Sequence, residues 1–142
     1  MLHLEFNSDS ENEGIARIVT SAYIMRFDPD MEEMEDVKTA VSEAVTNCIV
    51  HAYFDENGKI EMDISDKEQI VKIEITDHGI GIPDVKKAME PKYTTKPEEE
   101  RTGMGFSFME AFMDEVHVYS KEGEGTKVIM TKKMGEKNHL NG

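Results

Sequence analysis

The chain has 142 residues, 38% of them hydrophobic and 32% charged, which is typical of one soluble globular domain. Its net charge of −14 at pH 7 disfavours direct binding of nucleic acid or an anionic membrane, because both are polyanions. The charge is compatible with a basic protein partner. The alternative interpretation is that it only maintains solubility.

Cysteine and histidine usage sets further limits. The single cysteine, Cys48, excludes a disulfide within the chain and suits a reducing compartment. The five histidines and this cysteine lack metal-ligand spacing, so no zinc site is predicted. We find no apolar run near the roughly 18 residues of a membrane span and no signal-peptide pattern, and we therefore expect a cytoplasmic protein.

Apolar periodicity predicts the elements of the first half of the chain. Residues 2–6 alternate and predict a short strand. Ser10 and Glu13 have capping-box spacing, which predicts the start of a helix over residues 11–27. A second helix is predicted over about residues 30–53. The predicted apolar faces are Ile15, Ile18, Val19, Ala22 and Met25 in the first helix, and Met34, Val37, Val41, Ala44, Val45, Cys48 and Ala52 in the second.

The second half predicts two hairpins around a polar segment. Alternating strands at 60–64 and 71–75 form the first hairpin, and strands at 116–120 and 126–131 form the second. Short helices are predicted over 85–89 and 104–113, and residues 90–102, polar and without periodicity, predict a mobile loop.

The resulting order of elements is β-α-α-β-β-α-loop-α-β-β, in which hairpins and helices are segregated. This order predicts an α+β fold, a two-layer α/β sandwich with a mixed, mostly antiparallel sheet and helices on one face. We expect a single domain over residues 1–134 and a flexible tail over 135–142.

A polar stripe borders the apolar face of the second helix. Glu43, Asn47 and His51 are four residues apart and therefore lie along one side of the helix. An amide oxygen is a suitable ligand for Mg²⁺, and a carboxylate one turn away can accept a proton. Polar residues also commonly edge amphipathic helices, and taken alone the stripe favours that simpler interpretation.

A second motif, Asp77-His-Gly79-Ile-Gly81, directly follows a predicted strand. An aspartate at a strand end can accept a hydrogen bond from an exocyclic amine such as that of adenine. The two glycines permit positive φ and leave room for a flat ligand. Since Asp-x-Gly turns are common, this motif by itself is weak support for a nucleotide site.

A third motif, Gly103-Met-Gly105, lies where the polar loop passes into a helix. Backbone N–H groups at a helix start bind phosphate, and Lys96 and Arg101 add cationic donors nearby. The pattern is neither a Walker P-loop nor a Rossmann fingerprint. Glycines that only give the backbone conformational freedom at a helix start would also explain this motif.

In their order along the chain, the three motifs resemble the ATPase/kinase superfamily of gyrase, the heat-shock chaperone, histidine kinases and MutL. Glu43-Ala-Val-Thr-Asn47 is similar to the N box, Asp77-His-Gly79-Ile-Gly81 to the first glycine box, and Gly103-Met-Gly105 to the second. The loop between the glycine boxes is similar to the ATP lid. The resemblance covers about residues 4–130 and implies a Bergerat-type ATP-binding fold.

Longer stretches are similar to the anti-sigma F factor family of spore-forming bacteria. They are Ser42-Glu-Ala-Val-Thr-Asn47, Tyr93-Thr-Thr-Lys-Pro97, Arg101-Thr-Gly-Met-Gly-Phe106 and Phe112-Met-Asp-Glu-Val116. Thr102 departs from the family, which has serine there, but either hydroxyl can serve a phosphate. The resemblance implies a homodimeric serine-protein kinase that phosphorylates an anti-anti-sigma factor and, with nucleotide bound, inhibits a sporulation sigma factor of the sigma F type.

The resemblance also implies the roles of individual residues toward ATP or ADP and Mg²⁺. Asn47 binds Mg²⁺, Glu43 is the general base for the substrate serine, and Asp77 reads the adenine amino group. The other implied nucleotide contacts are Gly79 and Gly81 beside adenine, Thr95, Lys96 and Arg101 in the lid, Gly103, Met104, Gly105 and Phe106 as backbone donors, and Thr126 as a support for Asp77.

Two other functions stay open at this point. One is a sibling kinase that acts on a stress sigma factor or another partner. The other is a detached histidine-kinase ATP domain or a nucleotide-gated binding module without phosphoryl transfer. A histidine kinase needs a phosphoacceptor helix upstream, and the short segment before Asn47 argues against it.

The first helix also has two interpretations. Its apolar face predicts packing on the sheet, whereas the family resemblance assigns the N-terminal strand and helix to dimerisation and partner contacts. Under the second interpretation, Arg17 is the candidate partner-contact residue.

Overall fold

The computed structural model describes residues 1–54, 56–89 and 106–135. The strands and helices in these ranges are β1 (Leu2–Asn7), α1 (Glu11–Ile24), α2 (Met31–Asn47), β2 (Lys59–Lys67), β3 (Ile70–Asp77), α3 (Val85–Met89), α4 (Phe106–Phe112), β4 (Glu115–Lys121) and β5 (Gly125–Lys133). Their order agrees with the predicted α+β fold. The predicted loop over 90–102 and the tail after residue 135 lie outside the described residues, so the division into domain and tail stays a prediction.

The five strands form one sheet in the order β1-β2-β3-β5-β4. Each pairing between them is antiparallel, so the described part of the predicted mixed sheet contains no parallel pair. Alternate residues of β2 and β3 are buried, beginning with Ile60 and Val71, and the helices cover that face. No helix within the described ranges combines the length and the apolar character that a bilayer crossing requires.

A capping box starts α2. Asp30 Oδ1 accepts a hydrogen bond from Glu33 N at 2.7 Å, and Glu33 Oε1 accepts one from Asp30 N at 3.2 Å. The second carboxylate oxygen of Glu33 accepts from Gly135 N at 3.0 Å. Glu33, in the first turn of α2, therefore hydrogen-bonds both with the cap residue Asp30 and with Gly135, which follows β5.

The capping box predicted at Ser10 and Glu13 is wrong. Ser10 makes no side-chain cap hydrogen bond, and its φ and ψ of −58° and −28° are helical. A cap hydroxyl reaches the helix N–H groups from an extended backbone, which Ser10 does not have. Glu13 instead accepts a hydrogen bond from Ser42 Oγ on α2 and pairs with Arg17.

The apolar face predicted for α1 points mainly to solvent. Ile15, Ile18 and Met25 are 53%, 69% and 62% exposed. The residues of α1 that are buried are Ala16, Thr20, Tyr23 and Ile24, and the helix packs on α2 and β2. Burial of Thr20 is tolerated because its hydroxyl donates to the Ala16 carbonyl oxygen at 2.8 Å. The prediction that the stripe packs on the sheet is therefore wrong.

The apolar face predicted for α2 is confirmed, but the helix ends differently from a regular α-helix. Its buried predicted residues are Val37, Val41, Ala44, Val45, Cys48 and Ala52, and Met34 is partly buried. After Asn47 the chain continues as a π-helical turn, Cys48–Ala52, of a kind often found at functional sites. Ile80 N donates to Ala52 O at 3.2 Å, so this turn rests against the loop that follows β3.

Removing the α2 cap should destabilise the protein. Asp30→Ala leaves the Glu33 N–H without its acceptor, and we expect the free energy of unfolding to fall by about 0.5–2 kcal/mol. Chemical denaturation measures the change. Ser10→Ala is the matched control and should change stability by less than about 0.5 kcal/mol, because Ser10 makes no cap bond. Equal losses in the two variants would contradict the assignment of the cap.

Candidate functional site

A cavity of about 220 Å³ lies between the end of α2, the loop after β3, the start of α4 and β5. This volume is below the roughly 300–1,000 Å³ of pockets that enclose drug-sized ligands. It suits a flat ring system such as a nucleobase. Its polar walls are Asn47, His51, Asp77 and Thr126, and its apolar walls include Ala44, Ala52, Phe54, Ile80, Ile82, Pro83, Phe106 and Val128.

The cavity brings together predicted site residues from separate parts of the chain. Its walls include Asn47, Asp77, Gly81, Phe106 and Thr126, whereas Glu43 lies one helical turn before Asn47 and outside the wall. Gly79 lies in the same loop as Gly81, and Arg17 lies on α1, which does not line the cavity. The predicted lid and phosphate residues Thr95, Lys96, Arg101, Gly103, Met104 and Gly105 lie outside the described residues.

Asp77 ends β3 and is only 5% exposed. Its Oδ1 accepts a hydrogen bond from Gly79 N at 3.0 Å, and the Cys48 thiol and the Thr126 N–H are neighbouring donors that also lower its pKa. Burial raises the pKa of Asp77, while these bonds act in the opposite direction. A buried carboxylate in a cavity wall is suited to accept a hydrogen bond from an exocyclic amine.

Cys48 supplies one of these donors from the π-helical turn. Burial is the main cause that raises the pKa of the Cys48 thiol well above 9.0, and the neighbouring Asp77 charge adds to it. The thiol is therefore protonated at neutral pH and can donate. Cys48 was predicted on the apolar face of the second helix and is buried, whereas helical periodicity alone did not reveal that it neighbours Asp77.

The glycines after Asp77 make room for protein backbone. A Cβ atom on Gly79 would lie 2.4 Å from Ala52 O, and one on Gly81 would lie 2.3 Å from Lys121 O. The predicted positive φ occurs at Gly81, where φ is 77°, but not at Gly79. The space beside the two glycines was predicted to hold a flat ligand. On the side where a Cβ atom would lie, the carbonyl groups of Ala52 and Lys121 fill it instead.

Thr126 supports Asp77 through its main chain. The two residues are partners in the β3–β5 register, and the Thr126 N–H lowers the pKa of the carboxylate. The Thr126 hydroxyl lies 2.8 Å from Ser120 Oγ. The Thr126 side chain therefore contacts β4, and its support of Asp77 stays a prediction.

Ser120 was not among the predicted site residues. Its Oγ donates to Gly125 O at 3.0 Å and accepts from Ile82 N at 2.7 Å. One hydroxyl thus joins β4, β5 and the loop after Asp77. No pattern in the sequence indicated this role, because it depends on where β4 pairs along β5.

Glu43 is half-buried on α2. Burial raises its pKa from 4.5, and the charge of Glu13 on α1 raises it further. Glu13 Oε1 lies 2.9 Å from Arg17 Nε as an ion pair and also accepts from the hydroxyl of Ser42, the residue before Glu43. A carboxylate with a raised pKa is a stronger proton acceptor at neutral pH, so these surroundings fit a general base.

Asn47 is the last residue of α2 and is 8% exposed. Its amide oxygen is a hard donor of the type that Mg²⁺ accepts. Magnesium usually keeps several waters and takes few protein ligands when it is bound with nucleotide phosphates. One amide oxygen at the cavity wall fits that mode of binding.

A second set of possible ligand atoms lies on the opposite, exposed face of the sheet. His3, Glu5 and Glu61 place ligand atoms within 4.8 Å of one another, which residue spacing did not predict because it depends on the pairing of β1 with β2. His3 Nδ1 lies 2.6 Å from Asp63 Oδ1, and Lys59 Nζ lies 3.4 Å from Glu5 Oε2. These ion pairs explain the cluster without a metal.

Comparison with known proteins first defines the class. Residues 6–132 match the family described as histidine kinase-like ATPase domain. The catalytic domain of histidine kinase ThkA has a TM-score of 0.59 at 22% identity, over 96% of this chain and 99% of that one. The structure of the RsbU and RsbW domains of a Mycobacterium tuberculosis protein has a TM-score of 0.62 at 15% identity, over 94% of this chain and 33% of that one. At these identities the structures show the fold, which is that of a histidine kinase-like ATPase domain.

Closer relatives define the family within this class. The anti-sigma F factor of Clostridium perfringens strain SM101 is 53% identical over 94% of this chain and 96% of that protein. The anti-sigma F factor of Caldanaerobacter subterraneus subsp. tengcongensis is 52% identical over 95% of this chain and 94% of that protein. That of Geobacillus kaustophilus is 45% identical over 98% of this chain and 96% of that protein. The chain belongs to the anti-sigma F factor family, which confirms the resemblance drawn from its motifs.

Asp77→Asn should stabilise the nucleotide-free protein at neutral pH. Because the pKa of Asp77 is higher in the folded protein than its ordinary value of 3.8, the charged carboxylate costs folding stability. That cost is absent below the unfolded pKa and grows as the pH rises through the folded pKa. Chemical denaturation at about pH 3 and about pH 7 should show a gain mainly at the higher pH. Glu110→Gln, on the exposed side of α4, controls for the lost negative charge. A gain that does not depend on pH would count against the argument.

Proposed function

We propose that the protein is an ATP-dependent serine-protein kinase. It phosphorylates an anti-anti-sigma factor and, in its nucleotide-bound form, binds and inhibits a sporulation sigma factor of the sigma F type. The observation that carries the proposal is the cavity in which Asn47, Asp77 and Thr126 meet, within a chain of the anti-sigma F factor family. The names of the relatives support the sigma factor partner, which the protein would meet in the cytoplasm.

Nucleotide binding follows from the walls of the cavity. The Asp77 carboxylate accepts a hydrogen bond from the adenine amino group, and aliphatic residues such as Ile82 and Val128 pack on the faces of the ring. Asn47 would hold Mg²⁺, which offsets the negative charge of the phosphates. The residues proposed to complete the phosphate site are Thr95, Lys96, Arg101, Gly103, Met104, Gly105 and Phe106.

Phosphoryl transfer requires that a weak nucleophile lose its proton. The serine oxygen of the substrate attacks the γ-phosphorus in line with the leaving ADP, so one P–O bond forms as another breaks. Glu43 accepts the hydroxyl proton. Its half-buried position and raised pKa support this role, because a base whose pKa is closer to neutrality takes a proton more readily at neutral pH.

The exposed stripe on α1 supports a partner surface. Ile15 and Ile18 flank Arg17, whose side chain is 42% exposed. Apolar residues beside a cation are suited to contact a protein surface. In addition, β1 is an end strand of the described sheet, and edge strands offer unpaired backbone groups. We place partner binding and homodimer formation on these two elements.

The kinase proposal is tested with labelled ATP and a small anti-anti-sigma protein. Glu43→Gln should retain ATP binding and lose about 10²–10⁴-fold in phosphoryl transfer, because the amide cannot accept the proton. Asn47→Ala is the complementary variant and should lose Mg²⁺-dependent nucleotide binding instead. An unchanged transfer rate in Glu43→Gln would refute the general base, and tight Mg²⁺-dependent binding in Asn47→Ala would refute the metal ligand.

The chemical nature of the labelled product separates the competing functions. Acid-stable phosphoserine on the partner supports a kinase of this family. Acid-labile label, or no label, would favour a histidine-kinase ATP domain or a nucleotide-gated binding module. Binding assays with two purified sigma factors, a sporulation type and a stress type, would then distinguish the proposed protein from a sibling regulator.

Arg17→Ala should weaken partner binding by about tenfold or more, equivalent to about 1.4 kcal/mol, while ATP affinity stays unchanged. The matched control is Lys38→Ala on α2, which removes a cation from another surface ion pair. Titration calorimetry with the sigma factor and the anti-anti-sigma factor measures both variants. If Arg17→Ala binds every partner like the unmodified protein, Arg17 is not a contact residue.

A further inference from the structure

Glu13 lies in the first turn of α1 and faces α2 rather than solvent. Its side chain is 19% exposed, and a carboxylate covered to this extent needs polar partners. The Ser42 hydroxyl on α2 donates a hydrogen bond to Glu13 Oε1, and Arg17 Nε lies 2.9 Å from the same oxygen. One carboxylate oxygen therefore joins the two helices at the residue directly before Glu43.

The contact between Glu13 and Arg17 is held by charge rather than by a directed hydrogen bond. Arg17 Nε is buried and makes no hydrogen bond with any residue that the structure describes, although it lies within ion-pair distance of Glu13. The arginine side chain as a whole is 42% exposed. The balance between the two charges therefore depends on what Arg17 meets at the surface.

Glu13 is also the charged side chain that acts on Glu43. The residues one helical turn from Glu43 on α2 include Thr39 and Asn47 and carry no charge. The helix α4 packs on α2 as well, but its acidic residue, Glu110, is exposed. Among the described residues, the strength of the proposed base is thus set by its half-buried position and by one carboxylate on the neighbouring helix.

We propose that Glu13 is a positioning residue for phosphoryl transfer: it fixes a negative charge beside Glu43 and so makes the proposed base stronger. The inference rests on the proposed function, since it takes Glu43 as the group that accepts the serine proton. Glu13 does not line the cavity and acts on the reaction through Glu43.

The effect has a simple electrostatic cause. A second negative charge makes a carboxylate hold its proton more tightly, and Glu13 raises the pKa of Glu43 in this sense. Both side chains are partly covered by protein, where water and salt screen charge less. Arg17 opposes the effect, because its positive charge offsets that of Glu13. Removal of either charge should therefore shift the pKa of Glu43, but in opposite directions.

Carbon-13 nuclear magnetic resonance of the Glu43 carboxyl tests this directly in the protein without nucleotide or partner. The signal is assigned by its loss in Glu43→Gln. Glu13→Gln keeps the shape of the side chain and an acceptor for the Ser42 hydroxyl but removes the charge, so the pKa of Glu43 should fall. Arg17→Gln should raise that pKa.

The matched control for this titration is Glu11→Gln, which removes an exposed acid from the same helix. Glu11 does not act on Glu43, and the variant should leave the titration of Glu43 unchanged. Because the two expected shifts have opposite signs, a general loosening of the helix contact would not produce both. A Glu43 titration that is the same in Glu13→Gln and in the unmodified protein would overturn the proposal.

The pH dependence of phosphoryl transfer gives a second test. Single-turnover transfer from ATP to the anti-anti-sigma factor should be about 2- to 10-fold slower in Glu13→Gln at neutral pH, because the base is weakened but retained. The loss should shrink as the pH falls, since the weaker base keeps its charge to lower pH. Glu13→Asp keeps the negative charge and should recover part of the rate. A loss of equal size at every pH would mark a purely structural effect and refute the proposal.

The two proposals fail in different ways. If Glu43→Gln transfers phosphate like the unmodified protein, Glu43 is not the base and the proposed function loses its catalytic residue. If Glu43→Gln loses transfer while Glu13→Gln leaves both the Glu43 titration and the pH dependence unchanged, only the inference about Glu13 is wrong.

Discussion

The buried carboxylate of Asp77 is the interaction on which the arrangement of the cavity depends. It accepts a hydrogen bond from the Gly79 N–H in its own loop, and two further donors lie beside it: the Cys48 thiol in the helix layer and the Thr126 N–H on the neighbouring strand. The backbone of β5 also lies close to the main chain of Asp77. A Cβ atom on Gly125, the residue before Thr126, would lie 2.2 Å from the Asp77 carbonyl oxygen. The loop, the π-helical turn and the β3–β5 register are therefore mutually dependent through one side chain.

A carboxylate in this position opposes folding and favours binding. Three neutral donors reduce the cost of its burial, but the pKa of Asp77 remains raised, so the donors do not remove that cost. An asparagine would fill the same space without a charge but with one acceptor oxygen in place of two, so the carboxylate keeps more acceptor capacity for the donor of a ligand. Local rules of stability are commonly broken at functional sites, and Asp77 follows that pattern.

The extent to which sequence predicts this protein differs between its two long helices. In α2 the large apolar residues recur at helical spacing on the side that packs, and the predicted face was right. In α1 the same spacing marks a surface exposed in the single chain, because periodicity shows that a face is apolar but not what covers it. Thr20 is buried there because its hydroxyl donates to the Ala16 carbonyl oxygen of the same helix, and Tyr23 because its hydroxyl donates to Asp66 on β2. Asn47 and Asp77 could be paired only through family resemblance, and the role of Ser120 required the strand register.

Glu13 connects the exposed stripe of α1 with the proposed base on α2. Its carboxylate pairs with Arg17 at 2.9 Å, accepts a hydrogen bond from the Ser42 hydroxyl, and contributes to the raised pKa of Glu43. A change in the pairing of Arg17 therefore alters the negative charge that Glu43 experiences, because the arginine no longer offsets Glu13 to the same degree. The surface assigned to partner binding and the residue assigned to proton transfer thus share one carboxylate. The contact between α1 and α2 therefore places Glu13, which pairs with Arg17, where its charge acts on Glu43.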